Sequence, residues 1–416
     1  MSKNKFNKRI PKLRFPEFKK FGEWKHKKVG EVAEYENGKA HEQDIVESGQ
    51  YIVVNSKFIS SDTKVKKFTN TPFCTAQKND ILMVLSDVPN GKAIAKCFIV
   101  NENDLYTVNQ RICKITPRKV VGRFLYYRLN RNPYFLSFDD GVKQTNLRNE
   151  DVINCPILFP LDFGEQQRIA DCLSSLDELI RAENEKLDSL KQHKKGLMQN
   201  LFPQEREKVP KLRFPEFKKA GKWEFKEFKD CITLYRGSSP RPINEYLTKN
   251  EEGVNWIKIG DTKFSESFVI NHVEEKITKE GAKKSRKVSI GELILANSMS
   301  YGKTYSLGIE GYIYDGWFVL REYEKSFNKQ FLIQLLNSDY MQNQYQKLSA
   351  GGIVLNISSD IVYKTIIPLP SLPEQKKIAD CLSTLDELIT AQAKKVELLQ
   401  LYKNGLMQGL FPGGDE

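Results

Sequence analysis

The chain has 416 residues and a formal net charge of +12, with a pI near 9.1. This length predicts two or three domains, and the basic balance points to a polyanionic partner, with a merely basic protein as the alternative. No apolar run reaches membrane-spanning length and the start, MSKNKFNKRIPK, is charged, which excludes a membrane-spanning protein and a secretory signal. Seven cysteines without a C-x-x-C pair indicate reduced thiols rather than disulfides or a zinc site. We therefore expect a cytoplasmic protein.

The first recognisable element is a proline-bracketed segment, PKLRFPEFKK at residues 11–20, which is followed by Trp24. The same ten residues recur at 210–219 and are followed by Trp223. Prolines on both sides of Leu-Arg-Phe prevent a helix and favour a fixed extended segment whose apolar side chains dock on another element. Because the second copy closely follows the end of a long helix, we expect each copy to pack near a helix end.

A variable region follows between Trp24 and about Pro156, and its short apolar runs separated by polar loops predict a mixed α/β domain. The loops place Lys and Arg beside amides and hydroxyls. Arg and Lys can bond guanine or phosphate, and Asn and Gln can pair with adenine, so such loops suit base reading in a DNA major groove. An ordinary solvated loop remains the alternative for each residue. The candidate DNA-binding residues of this region are Asn55, Lys57, Lys92, Asn109, Gln110, Arg111, Lys143, Gln144, Asn146 and Arg148.

The next element occurs twice. Residues 165–180, EQQRIADCLSSLDELI, return at 374–389 as EQKKIADCLSTLDELI, and the copies run into GLMQNLFP from Gly196 and GLMQGLFP from Gly405. The starts and the ends of the two copies are the same number of residues apart, so the segment carries no insertion or deletion. Loops tolerate insertions, whereas helices that must meet in register do not. The constant length therefore predicts paired rods.

Apolar residues recur within these segments at steps of three and four, which predicts helices that bury one stripe against another helix. Two levels of the stripe are polar in both copies, Glu183 with Gln392 and Lys194 with Lys403, as in coiled coils that fix their register. About 36 helical residues form a rod of about 54 Å. We expect antiparallel packing, because long domains separate the copies. The predicted stripe contains Leu173, Leu176, Ile180, Leu187, Leu190, Leu197 and Leu201, and then Leu382, Leu385, Ile389, Val396, Leu399, Leu406 and Leu410.

A second variable region, between Trp223 and about Ile366, repeats landmarks of the first, such as Gly38 with Gly237 and Asn146 with Asn356. The offset between paired landmarks drifts along the region, which indicates loops of different length on one scaffold. We therefore expect two similar modules that recognise different targets. The candidate DNA-binding residues of this region are Arg236, Arg241, Lys258, Lys263, Asn297, Tyr301 and Lys303.

The sequence contains parts of a phosphate-binding motif and of a methyltransferase motif, but neither motif is complete. Gly302-Lys303-Thr304 is similar to the end of a phosphate-binding loop, but Asn297 stands where that motif needs glycine. Asn132-Pro133-Tyr134 lacks the second proline of the amino-methyltransferase motif, and we interpret it as a helix terminator. The four histidines are scattered without ligand-like partners, so we expect no metal site. The absence of a catalytic constellation favours a protein that recognises or scaffolds.

Taken together, the repeats resemble the DNA-specificity subunit of type I restriction-modification systems. The resemblance rests on PKLRFPEF followed by Trp at the head of each half and on E-Q-x-x-I-A-x-x-L-x-x-L-D at the start of each helix, and it covers essentially the whole chain. It implies two target recognition domains that each read one half of an asymmetric bipartite DNA site, separated by a spacer that the paired helices set. One departure is the first helix entry, Leu161-Asp162-Phe163-Gly164, where the second copy has Pro370-Ser371-Leu372-Pro373.

The resemblance also implies that catalysis belongs to partner subunits and that this chain binds no cofactor. Two modification (methyltransferase) subunits would use S-adenosylmethionine to methylate adenine, and two restriction subunits that need ATP and Mg²⁺ can join them to make the endonuclease. The outer faces of the two helices become the candidate docking surface for these partners, with a solvated helix face as the alternative. The candidate partner-binding residues are Arg168, Asp171, Glu178, Lys377, Asp380 and Glu387.

The sequence thus predicts a mixed α/β (α+β) fold and a pseudo-twofold tandem repeat, with two globular domains alternating with two long helices that pair as an antiparallel coiled coil. The expected boundaries are 1–156 and 204–366 for the target recognition domains, and 157–203 and 367–416 for the helices. Two other classes stay open. A nuclease or methyltransferase would cut or methylate DNA alone, and a coiled-coil adaptor would impose no sequence choice on any partner.

Overall fold

The computed structural model describes residues 9–89, 91–204, 207–265, 267–298, 302–349 and 356–412. The chain divides into two compact units. Unit 1 contains residues 1–182 and 397–416, and unit 2 contains residues 183–396. Each unit therefore holds one globular region together with part of each long helix.

The first globular region and the helix that follows it contain twelve strands and six α-helices among the described residues. The strands are β1 (Lys25–Lys28), β2 (Ala33–Asn37), β3 (Tyr51–Val54), β4 (Phe68–Thr69), β5 (Thr75–Ala76), β6 (Ile81–Val84), β7 (Ser86–Asp87), β8 (Cys97–Ile99), β9 (Tyr106–Val108), β10 (Ile112–Pro117), β11 (Thr145–Asn146) and β12 (Pro156–Phe159). The helices are α1 (Val29–Val32), α2 (Ser56–Ser60), α3 (Gly122–Leu129), α4 (Pro133–Leu136), α5 (Asn149–Ile153) and α6 (Phe163–Leu201).

Two four-stranded sheets form the body of unit 1. The first has the order β2-β10-β6-β8 with antiparallel neighbours, and the second has the order β4-β3-β9-β5, in which β3 and β9 are parallel. Strand β6 is fully buried because both of its faces are covered. Ile81 and Met83 join the core that contains Phe124 of α3, and Leu82 and Val84 join the core under β3 and β9.

The second globular region has a similar plan among the described residues, with two sheets of five strands instead of four. Its strands are β13 (Glu224–Glu227), β14 (Thr233–Arg236), β15 (Leu247–Thr248), β16 (Val254–Ile257), β17 (Val269–Ile270), β18 (Glu275–Ile277), β19 (Arg286–Val288), β20 (Leu293–Ala296), β21 (Thr304–Leu307), β22 (Gly311–Ile313), β23 (Trp317–Arg321) and β24 (Ile366–Leu369). Its helices are α7 (Lys279–Lys283), α8 (Lys329–Leu336), α9 (Asp339–Ser349) and α10 (Ser359–Tyr363), followed by the second long helix, α11 (Leu372–Leu410).

The sheets of unit 2 have the orders β14-β23-β20-β21-β17 and β15-β18-β16-β22-β19. Strand β20 divides the core as β6 does, with Leu293 and Leu295 on one side and Ile294 and Ala296 on the other. Each long helix is preceded by a two-stranded pair, β1 with β12 and β13 with β24. The prediction of a mixed α/β protein built from two similar modules is confirmed.

The long helices are the most regular part of the chain. Both α6 and α11 contain 39 residues, slightly more than the sequence pattern predicts. Every residue of the predicted apolar stripe is buried or half-buried. The unusual entry into α6 has a simple physical basis, because the Asp162 carboxylate accepts the Glu165 backbone N–H at 2.8 Å and caps the helix.

The proline-bracketed segments follow the prediction. Each contains one short 3-10 turn, Pro16–Phe18 and Pro215–Phe217, in an otherwise non-helical stretch. The Leu13 N–H donates to the Gly409 carbonyl at 2.8 Å in unit 1, and the Leu212 N–H donates to the Asn200 carbonyl at 2.9 Å in unit 2. Each segment thus packs at the end of a long helix. All seven cysteines are free thiols, as expected, and burial raises the pKa of Cys113 to about 12.

Candidate nucleic-acid interface and helix surfaces

In unit 1, loops that carry predicted DNA-binding residues meet at one edge of the β2-β10-β6-β8 sheet. The antiparallel register pairs Ile112 with Val84 and Cys113 with Asn37, so the ends of β2 and β6 lie beside the start of β10. The Leu85 N–H donates to the Arg111 carbonyl at 3.0 Å, which places the exposed Arg111 beside the loop after β6. The sheet therefore gathers residues that are far apart in sequence.

The second sheet adds its own strand ends to this edge. Strands β3 and β9 are parallel, and the Asn109 N–H donates to the Val54 carbonyl at 3.0 Å, so Asn109 lies next to Asn55. The Asn55 side chain accepts the Phe58 N–H at 2.9 Å and caps α2, which leaves Lys57 exposed in the first turn. Gly38 passes the carbonyl of Asn109 so closely that a Cβ would lie 2.1 Å from the oxygen. The glycine is therefore required for the two sheets to meet there.

A short strand pair, β7 with β11, continues the same edge and carries further predicted residues. Its register pairs Asn146 with Ser86, and the Gln144 Nε2 donates to the Ser86 Oγ at 2.7 Å. Lys92 and Lys143 are exposed in the flanking loops. The pair gathers amide and hydroxyl groups on an exposed surface, the chemistry that reads base edges.

Two other predicted residues of unit 1 contact acidic neighbours. Gln110 donates to Glu42 at 3.1 Å, and Arg148 lies 3.4 Å from Asp151 at the start of α5. Both Gln110 and Arg148 remain exposed, so these contacts orient them without covering them.

The equivalent edge of unit 2 centres on Asp315. Arg236 ends β14, Asn297 follows β20, and Asp315 precedes β23. Because β23 pairs with both β14 and β20, its register places these three strand ends side by side. The Ser239 hydroxyl donates to the Asp315 carboxylate at 2.6 Å and Arg241 donates to it at 3.3 Å. The Ser239 hydroxyl, followed by the charges of Arg241 and Arg236, lowers the pKa of Asp315. The carboxylate therefore stays ionised at neutral pH and holds Arg241 at the edge, while the Arg236 Nε donates to the Asp315 backbone carbonyl at 3.3 Å.

The remaining predicted residues of unit 2 differ in accessibility. Asn297 is only 5 % exposed and its amide donates to the Asp315 carbonyl at 2.9 Å, so it stabilises this corner from inside. Lys258 and Lys263 form ion pairs with Glu275 and Glu274. Partial burial lowers the pKa of Lys303. Tyr301 lies outside the described residues.

Sequence reasoning missed the groups that organise the start of each long helix. In unit 1, Arg14 donates from Nε and Nη2 to the two carboxylate oxygens of Glu165, both at 2.7 Å, and the Trp24 indole donates to the same carboxylate at 3.3 Å. The Arg14 and Glu165 side chains are 7 % and 1 % exposed. We call this arrangement the latch, because it fixes the proline-bracketed segment to the first turn of the helix.

Unit 2 repeats the latch with residues from the repeated motifs. Arg213 makes the same two 2.7 Å bonds to Glu374, and the Trp223 indole donates at 3.2 Å. The signal was present in the sequence, because all three residue types are duplicated at matching places. It could not be interpreted there, since the arginine and the glutamate are 151 and 161 residues apart in the two copies and nothing in their spacing shows that they touch.

Within each unit, polar residues of the helical stripes contact polar residues of the other long helix. In unit 2, Lys194 lies 2.6 Å from Asp386, and Gln392 donates to Glu183 at 2.7 Å. In unit 1, Lys403 lies 2.5 Å from Asp177. The polar levels predicted from the sequence therefore have polar partners on the other long helix.

All six candidate partner-binding residues are exposed on the long helices. Arg168 lies 3.6 Å from Glu17 and above the ring of Phe15. Lys377 repeats this arrangement with Glu216 and Phe214. The equivalent charges thus form two matching surfaces, one beside each latch.

Among the described residues, no cluster of three or more His, Cys, Asp and Glu side chains could hold a metal ion. His41 is buried, with its ring nitrogens bonded to the Lys39 carbonyl and the Thr107 hydroxyl. None of the helices in the described ranges is long and apolar enough to cross a membrane.

Comparison with known proteins gives one consistent result. A family model for the type I restriction modification DNA specificity domain matches residues 22–192 and again residues 220–400. The MjaVIII type I restriction enzyme specificity subunit of Methanocaldococcus jannaschii is 25 % identical over 425 residues, covering 96 % of this chain and 94 % of the relative.

Solved structures share the fold. The S subunit of a type I restriction-modification system from M. genitalium aligns with a TM-score of 0.62 at 15 % identity, covering 97 % of this chain and all of that one. A chain from a structural study of complex assembly and conformational transition in the type I R-M system aligns with a TM-score of 0.56 at 17 % identity, covering 94 % and 98 %. Since the family model matches most of the sequence in two copies, the chain belongs to the type I restriction modification DNA specificity family.

Proposed function

We propose that the chain is the non-catalytic DNA specificity subunit of a type I restriction-modification complex, and that each globular region reads one half of a bipartite target. The proposal rests on one observation: each unit has an equivalent sheet edge, formed by strand ends, at which predicted DNA-binding residues lie. The same sheet edge carries Arg111, Gln144 and Asn146 in unit 1 but Arg236 and Arg241 in unit 2. One scaffold with two different sets of base-reading groups suits an asymmetric site.

The long helices support a spacer role. We infer that α6 and α11 pair as an antiparallel coiled coil, because Glu183 contacts Gln392 while Lys194, further along α6, contacts Asp386, earlier in α11. Both helices contain 39 residues, whereas the loops of the two globular regions differ in length. A rod of fixed length between two readers would set the gap between half-sites. Residues 1–156 and 204–366 then act as target recognition domains.

The proposed partners follow from the family to which the chain belongs. Two modification subunits would dock on the two matching helix surfaces that contain Arg168, Asp171 and Glu178 and then Lys377, Asp380 and Glu387. Those subunits would bring S-adenosylmethionine for adenine methylation, and two restriction subunits would bring ATP-dependent cleavage with Mg²⁺. This chain supplies sequence choice, and the complex acts on DNA in the cytoplasm. Its net charge of +12 adds affinity for any duplex, so binding should weaken steeply with salt.

The experiment that tests the proposal is mapping of methylated adenines in DNA exposed to the chain together with its modification subunits. We expect one asymmetric sequence in two parts with a fixed gap. A continuous site would contradict the two-reader proposal. Methylation or cleavage by the chain alone would show that it is an enzyme itself, and methylation without sequence preference would indicate a coiled-coil adaptor.

A further inference from the structure

Two exposed valines lie on the loops that flank the β7-β11 pair in unit 1. Val88 directly follows β7 and is 65 % exposed, and Val142 precedes β11 and is 76 % exposed. The register of the pair joins Asp87 with Thr145, so its continuation places Val88 opposite Gln144. We call residues 86–89 and 139–146 the reading tip. An isolated exposed valine is ordinary, but two on one tip require an explanation.

On the β7 side of the reading tip, the Asp87 carboxylate fixes the backbone. The Asp87 side chain accepts N–H groups from Val88 at 2.9 Å, Ala93 at 2.6 Å and Ile94 at 3.1 Å. Gly91 passes so close that a Cβ there would lie 2.1 Å from the Asp87 Oδ2. The backbone at Val88, Ala93 and Ile94 is therefore held against the half-buried Asp87 carboxylate, and the Val88 side chain remains exposed.

The β11 side is fixed in the same manner. Asp139 accepts the Gly141 N–H at 3.0 Å and the Thr145 hydroxyl at 3.1 Å. Asp140 accepts the Val142 N–H at 2.9 Å and the Lys143 N–H at 3.0 Å, and these bonds lower the pKa of Asp140. The three carboxylates thus hold the backbone of the tip, while Val142, Lys143 and Gln144 are exposed.

The exposed groups of the tip combine one amide cluster, a lysine and two β-branched apolar side chains. Amides read the hydrogen-bonding edges of bases, and apolar side chains contact the one apolar group in the major groove, the 5-methyl of thymine. A rigid tip places these groups without losing conformational freedom on binding. An apolar docking site for a protein would need a wider apolar surface than two valines set among polar groups.

We propose that Val88 and Val142 contact thymine 5-methyl groups in the major groove of the half-site that unit 1 reads. The inference rests on the proposed function and deepens it, because it assigns a base to the half-site that unit 1 reads. It requires at least one A·T pair in that half-site. Burial of one methyl group predicts a contribution of about fourfold in affinity.

The test uses the complete complex of this chain with its modification subunits and duplexes that contain its mapped target. Each thymine of the target is replaced in turn by deoxyuridine, which lacks only the 5-methyl group. We expect about fourfold weaker binding at one or two positions in the half-site of unit 1. The variants Val88→Ala and Val142→Ala should bind the thymine duplex more weakly and should no longer distinguish thymine from deoxyuridine at the matching position.

The matched control is Ile290→Ala, because Ile290 is 69 % exposed but precedes β20, at the opposite end of that strand from Asn297. This variant should retain the full penalty for deoxyuridine. Tolerance of deoxyuridine throughout the half-site of unit 1, or an equal penalty in the wild type and both valine variants, would overturn the inference while bipartite selection still supports the specificity role. Failure of the complex to select any two-part sequence would instead overturn the proposed function.

Discussion

Arg14 and Glu165 lie 151 residues apart in the chain, yet they form two parallel hydrogen bonds of 2.7 Å that are almost completely withdrawn from solvent. Arg213 and Glu374 form the same pair in unit 2. The latch connects the entry of each globular region to the first turn of a long helix. The latch therefore fixes the orientation of each globular region on the first turn of its long helix, as the proposed fixed gap between half-sites requires.

Removing one partner of a latch should destabilise its unit strongly. We expect Arg14→Met to lower the free energy of unfolding of unit 1 by about 3–5 kcal/mol, because Glu165 is left buried without its cation. The double variant Arg14→Met with Glu165→Leu should recover much of that loss. Urea unfolding midpoints measure the effect.

The control for the latch is Arg168→Met. The pair of Arg168 with Glu17 is exposed, with side chains 60 % and 49 % accessible, so its loss should cost about 1 kcal/mol or less. Equal costs for Arg14→Met and Arg168→Met would show that the latch contributes no more than a surface pair.

Lys194 and Asp386 should be energetically coupled across the two long helices. Their side chains are 11 % and 15 % exposed and lie 2.6 Å apart. A double-mutant cycle with Lys194→Met and Asp386→Leu should give a coupling of about 0.5–3 kcal/mol. The exposed pair Lys376 and Asp380, four residues apart on one helix, should give about 0.3–0.5 kcal/mol. No excess coupling for Lys194 with Asp386 would argue against pairing at this level.

The contact at Glu183 predicts a pH dependence with a definite sign. Hydrogen bonds from Lys395 and Gln392 lower the pKa of Glu183 below its ordinary value of 4.5. A carboxylate whose pKa is depressed by folding stabilises the folded state above its unfolded pKa, and this contribution is lost as the pH falls through the folded pKa. Wild type should therefore exceed Glu183→Gln in thermal stability at pH 7, and the difference should narrow below about pH 4.5. A difference that widens in acid would contradict the contact.

The arginines around Asp315 should read only one half of the target. Arg241→Ala should relax base choice in the half-site of unit 2, by about 1–3 kcal/mol for a bidentate base contact, and leave the other half-site unchanged. If Arg241 contacts phosphate instead, the affinity should fall for every sequence. The slope of log affinity against log salt concentration should then decrease by about one. Lys229→Ala is the control, because this exposed lysine pairs with Glu227 at 2.5 Å and precedes β14, at the opposite end of that strand from Arg236. Relaxed choice in the half-site of unit 1 would contradict the assignment.

The periodic elements could be predicted from sequence because their physics is local. A stripe at steps of three and four runs from Leu173 to Leu201 in α6, and prolines on both sides of Leu13 exclude an α-helix whatever lies nearby. Duplication then indicated two similar modules without any tertiary information. The polar levels at Glu183 and Lys194 were visible for the same reason.

The candidate DNA-binding edges were less predictable because they depend on strand register. Arg111 and Ser86 become neighbours only through the pairing of β6 with β10, and that pairing leaves no local pattern in the sequence. Asn297 illustrates this limit of sequence-based prediction. The sequence does not distinguish an exposed asparagine from a buried one, and only the fold shows that its amide donates to the Asp315 carbonyl. The latch was hidden similarly by the long separation of its arginine from its glutamate.

Lengthening both long helices together tests whether helix length sets the gap between the two half-sites. One seven-residue segment that continues the apolar stripe is inserted directly after Glu183 and another directly after Gln392, the level at which the two helices contact each other. Seven helical residues add about 10 Å, equivalent to about three base pairs. An insertion in α6 alone is the control, and it should separate Lys194 from Asp386 and lower stability. Mapping of methylated adenines with the doubly lengthened chain should then show both half-sites unchanged and the gap about three base pairs longer. An unchanged gap, or a changed half-site sequence, would contradict the proposed spacer role.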